Sequence, residues 1–162
     1  MGSLASASAA TVAPCAATSL TAKATGSGAG MSQPYTVFTV TNASSKPCTL
    51  KGYPVLTGAW TAKGKVAISV SNGAVMNMPS AKVKAFVISP KGNAWFAVGS
   101  GTAYDSPLVT IRRFTFATTP GASVAQSSLV KADLQATAPS GKPYPLGVTA
   151  FAPGKGCDTG NC

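Results

Sequence analysis

Short runs of β-branched and aromatic residues recur along the chain, cut every few residues by clusters of glycine, proline, asparagine and serine. Such punctuation leaves little room for long helices and suits strands joined by turns. The clearest run, Tyr35–Asn42, reads Tyr-Thr-Val-Phe-Thr-Val-Thr-Asn. The two-residue repeat of a strand puts Phe38 and Val40 on one of its faces. Comparable runs are Ser19–Ala24, Pro54–Trp60, Lys65–Val70, Lys82–Ser89, Ala94–Val98, Leu108–Thr118 and Leu146–Ala152. Thr25–Gly30 reads as a loop, and Pro90–Asn93 as a hairpin turn between two runs. Residues 122–136 fit an irregular helix face through Val124, Leu129, Val130 and Leu134, or a strand face through Val130, Ala132 and Leu134. Strand neighbours tip that segment toward a strand. About eight short strands at this spacing predict an all-β fold, an immunoglobulin-like antiparallel β-sandwich.

Of 162 residues, 45% are hydrophobic, enough to build one core. The expected organisation is a flexible leader over residues 1–14, one domain over 15–156, and a tail over 157–162. Leu4–Ala10 resembles the small-residue end of an export signal without its charged and apolar regions. A secreted or envelope-associated chain with its signal removed is the resulting expectation. No run of about 18 apolar residues occurs, so no transmembrane segment is expected. Four cysteines in an exported chain make two disulfides the default, and three pairings are open. Cys157 and Cys162 flank Asp-Thr-Gly-Asn and can close a tight local loop, which leaves Cys15 with Cys48.

The chain has no histidine and no glutamate, and its acids are Asp105, Asp133 and Asp158. Ser-His-Asp and Cys-His constellations are therefore excluded. Three aspartates far apart in sequence make a poor paired-carboxylate site and a poor calcium cage. Four cysteines without a C-x-x-C pair make a poor zinc site. Ser128-Leu129-Val130-Lys131 matches S-x-x-K, but the companion motifs S-D-N and K-T-G are missing. The expectation is a protein without catalytic residues, cofactor or metal.

Charge is the remaining functional signal. Thirteen Lys+Arg stand against three acids, giving +10, although only 10% of residues are charged. An ordinary domain has about 25%. Lys82 and Lys84 share a face if their run is a strand, while Arg112 and Arg113 point to opposite faces of theirs. That placement sets Arg112 beside Phe114 and Phe116. These four are the candidate anion-binding residues. A plain solvated surface with lysine-protected strand edges would carry the same charge. An anionic partner is the sharper reading: a phosphate-bearing cell-wall polymer, acidic lipids or nucleic acid, with an envelope protein as a further partner. Specific nucleic-acid binding is disfavoured by two arginines and no recognition-helix pattern. Self-association through exposed strands into a surface layer or filament is the alternative.

The segment Asn42-Ala43-Ser44-Ser45-Lys46-Pro47-Cys48-Thr49-Leu50-Lys51-Gly52-Tyr53-Pro54 resembles the signature of the actinobacterial domain-of-unknown-function family DUF4232, found in secreted proteins and lipoproteins. Cys15, Ala29-Gly30 and Pro90-Lys91-Gly92-Asn93-Ala94 fill further places in that pattern, so the resemblance spans roughly residues 15–120. It implies an immunoglobulin-like sandwich outside the cytoplasm and no assigned activity.

Overall fold

A computed structural model describes residues 11–30, 33–73, 75, 82–101, 106–119 and 129–156. After one turn of 3-10 helix at Ala17–Ser19, all regular structure in these residues is strand. The strands are β1 (Leu20–Gly30), β2 (Gln33–Asn42), β3 (Cys48–Leu50), β4 (Val55–Thr61), β5 (Gly64–Val66) and β6 (Ile68–Asn72). They continue with β7 (Phe86–Ile88), β8 (Asn93–Ser100), β9 (Val109–Ala117), β10 (Leu129–Ala136), β11 (Tyr144–Val148) and β12 (Ala152–Pro153). The larger sheet has the order β1-β2-β8-β11-β6, with β12 also beside β8. The smaller sheet has the order β10-β9-β4-β5, and β3 pairs with β7 alone.

Alternation decides which faces meet. Phe38 and Val40 of β2 and Phe96 and Val98 of β8 are buried, as are Phe114 and Phe116 of β9 and Val130 and Leu134 of β10. They form one core between the two sheets. Phe38 stacks on Phe96 at 5.2 Å and meets the edge of Phe114 at 6.0 Å. Phe96 also packs on Phe116 at 5.4 Å and on Phe151 at 5.5 Å. The chain is an all-β sandwich with phenylalanines at its centre.

Several expectations are corrected. Thr25–Gly30 is not a loop but the second half of β1, with Gly28 opposite Tyr35. A Cβ on Gly28 would lie 2.6 Å from the Tyr35 hydroxyl oxygen, so the tyrosine ring covers the bare glycine. A register shift between Ala24 and Gly26 absorbs the change of twist. Pro90–Asn93 does turn, with Lys91 at φ 62°, but it is no hairpin. Its strands separate, β7 joining β3 and β8 joining β2. Lys65–Val70 is two strands: β5 stays with β4, and β6 crosses to the larger sheet. There β6 pairs with β11 in parallel, so the sandwich is not wholly antiparallel. The twelve described strands exceed the expected number because Lys65–Val70 is divided between two sheets and short strands such as β3 fall outside the expected runs.

The motif after β2 is a structural knot. Asn42 is fully buried and its side chain makes four hydrogen bonds. Its amide donates to the Lys46 and Ile88 carbonyl oxygens at 2.8 and 3.1 Å. Its carbonyl oxygen accepts from the Ser44 amide and hydroxyl at 3.0 and 2.7 Å. Gly52 takes φ 88°, a left-handed value that disfavours a side chain, and its carbonyl accepts from the Phe151 amide at 2.9 Å. Cys15 and Cys48 are bonded, with Cα atoms 4.8 Å apart. The β1–β2 register, with Leu20 opposite Asn42, brings both cysteines to one end of that hairpin. Residues 12–14, expected in a flexible leader, run beside β3 instead. The Thr49 amide donates to the Ala13 carbonyl at 2.8 Å, and Pro14 bridges Thr49. Cys157 and Cys162 lie outside the described residues, as does the segment 122–128.

Candidate functional site

The outer face of the smaller sheet carries a row of aligned side chains. Lys131 of β10 is directly opposite Arg113 of β9, Arg113 is opposite Trp60 of β4, and Trp60 is opposite Lys65 of β5. Directly opposed residues share a face. With strands about 4.8 Å apart, the row runs roughly 14 Å across the sheet. The three cations are exposed, and Trp60 is half-buried. Trp60 lies along its own strand over Gly58, where an added Cβ would fall 2.5 Å from the indole. The Lys65 ammonium sits over the Trp60 ring, 5.6 Å from its centroid. Such a contact stabilises a cation by about 0.5–1 kcal/mol at an exposed site.

Beside this row the sheet opens into a groove of about 600 Å³, lined by Thr61, Ala62, Arg112, Arg113, Lys131, Ala132 and Asp133. A bulge produces it. Between the pairs Val130–Phe114 and Leu134–Ile111, β10 advances four residues (130 to 134) while β9 advances three (114 to 111). Ile111 and Phe114 therefore both face the core, and the two residues between them, Arg112 and Arg113, are both exposed. This corrects the alternation argument, which put the arginines on opposite faces and Arg112 beside Phe114 and Phe116. The two arginines are the only ones in the chain. Ala132 and Asp133 flank the bulge on the facing strand.

Lys82 and Lys84 are elsewhere. Strand β7 starts only at Phe86, so both lysines lie in an exposed stretch without regular structure, and neither lines the groove. The shared face expected for them does not exist. Trp60, Lys65, Lys131 and Asp133 were not singled out as binding residues by the sequence. Their only signal is their place within strand-like runs, and cross-strand register, which groups them, is set by distant residues.

Among the described residues, no cluster of three or more Cys, Asp or Glu side chains is placed to hold a metal. No helix among them is long and apolar enough to cross a membrane. The Cys15–Cys48 bond fits folding in an oxidising compartment.

No curated protein and no solved structure matches the chain. A family model does match, over residues 15–152, from the first bonded cysteine to the first residue of β12, and so extends past residues 15–120, which carry the resemblance. The chain belongs to the family of the domain of unknown function DUF4232.

Proposed function

We propose that the protein is an exported, non-enzymatic, immunoglobulin-like module that binds an anionic component of the bacterial cell envelope through the outer face of its smaller sheet. The observation that carries this reading is the alignment of Lys131, Arg113, Trp60 and Lys65 across four strands, beside a groove holding a second arginine. Scattered surface lysines would keep the protein soluble without register. Three cations in one row raise the local potential and favour an extended anion over a point charge. The missing histidine and glutamate support binding rather than turnover. The test is retention on isolated cell wall across a salt series. Retention at low salt that falls steeply with added salt supports the reading; absence of retention at low salt removes it.

A second reading, self-assembly, draws on β6. This strand ends the larger sheet, and its residues Ser69–Asn72 are exposed and carry neither charge nor proline. Unprotected edges of that kind accept further strands. Light scattering at rising concentration checks it: a constant monomer mass argues against assembly.

A further inference from the structure

We infer that the groove between β9 and β10 takes a phosphodiester flanked by hydroxyl groups, as in a polyol-phosphate chain. This rests on the anion-binding reading above and specifies its ligand. Two features separate such a ligand from any other polyanion. The first is the choice and placement of arginine. Eleven of the thirteen cations are lysines, yet the bulge turns both arginines into one groove. A guanidinium offers a planar fork of donors that grips a phosphate through two oxygens, which an ammonium does not. The second is Asp133. A carboxylate inside an anion groove opposes a pure polyanion. Among the described residues no ion pair ties it to Arg112, Arg113 or Lys131. An exposed carboxylate only accepts hydrogen bonds, and the donors that a polyol phosphate offers it are hydroxyls. Phosphate on the arginines with a neighbouring hydroxyl on Asp133 is the pattern of a polyol or sugar phosphate.

The open groove and the row beside it suit a soluble chain rather than a bilayer surface. Among the described residues the exposed large apolar side chains Val70, Val83, Val87 and Leu108 all lie outside its lining.

The test uses the whole chain and three probes: poly(glycerol phosphate), inorganic polyphosphate of similar length, and phosphatidylglycerol vesicles. Asp133→Ala is expected to weaken poly(glycerol phosphate) binding about tenfold, the loss of one charge-assisted hydrogen bond. Polyphosphate binding should hold or strengthen. If Asp133→Ala strengthens both, the hydroxyl contact is wrong, although anion binding stands. A paired Arg112→Lys, Arg113→Lys variant keeps the charge and removes the forks. It should weaken poly(glycerol phosphate) about tenfold with an unchanged salt slope; unchanged affinity overturns the proposal independently of Asp133. Binding to vesicles but not to the free polymer overturns it as well. A wild-type chain that binds none of the probes at low salt takes away the anion-binding reading itself.

Discussion

The hydroxyl of Thr118 donates to the carbonyl oxygen of Cys15 at 2.8 Å, joining the end of β9 to the residue that opens the disulfide. Both groups are buried, and 103 residues of chain separate them. The smaller sheet is thereby fastened to the covalently closed end of the larger one.

Removing this fastening should be measurable in two steps. Thr118→Val leaves a buried carbonyl oxygen without its hydroxyl donor and is expected to cost about 1–3 kcal/mol. Replacing Cys15 and Cys48 together by alanine reopens a loop with a sequence separation of 33 and should cost about 4 kcal/mol in the chain-entropy model. Urea unfolding of the single, paired and combined variants checks both. The two changes meet at one residue, so the combined loss should depart from their sum.

Asn42 is expected to be the least replaceable polar residue. Asn42→Asp keeps the shape but turns the amide donor into an oxygen facing the Lys46 and Ile88 carbonyls. A cost of about 3 kcal/mol or more is expected, read as a fall in the thermal midpoint. A loss comparable to an exposed substitution would show that the knot is not holding the β2–β3 turn.

How much of this was readable beforehand depends on the range of the interactions involved. Tyr35–Asn42 was legible because alternation is local. Asn42 and the Cys48–Pro54 segment were legible as a pattern, but the four bonds made by Asn42 reach Ile88, which no local rule connects to it. Thr25–Gly30 was misread because glycine composition outweighs geometry in a single sequence. The covering ring of Tyr35 comes from the partner strand. Arg112 and Arg113 were misplaced for a related reason: a bulge in register with β10 breaks the alternation of β9, and register is a property of two strands. The turn at Pro90–Asn93 was visible in its residues, whereas the destinations of the flanking strands were not.

Trp60 offers an optical probe of the row. Gly58→Ala places a methyl group where the indole lies and also crowds the Thr115 hydroxyl at 3.0 Å. That hydroxyl is hydrogen-bonded to Thr57 at 2.9 Å. The expected result is a shift of tryptophan emission with a stability loss of about 1–3 kcal/mol. Unchanged emission would mean the indole does not rest on the strand.

Lys65→Ala, Arg113→Ala and Lys131→Ala should each flatten the dependence of log affinity on log salt by about one for a polyanion contacting all three. Lys82→Ala and Lys84→Ala should leave the slope unchanged, since both stand off the row. Binding curves on poly(glycerol phosphate) at four or more ionic strengths decide it. Equal slopes in all five variants would show that net charge, rather than alignment, governs retention.

The parallel pairing of β6 with β11 also bears on how the chain reaches its native state. Ile68 is aligned with Tyr144, which lies 76 positions later (144 − 68). A chain made or exported from its N-terminus presents β6 long before its partner exists. Closing so long a span is entropically slow, and contacts of this kind lower folding rates. β6 therefore spends the interval unpaired, and the last eighth of the chain governs when the larger sheet is complete. Truncation before Tyr144 would strand an exposed, uncharged strand, a liability for aggregation during synthesis.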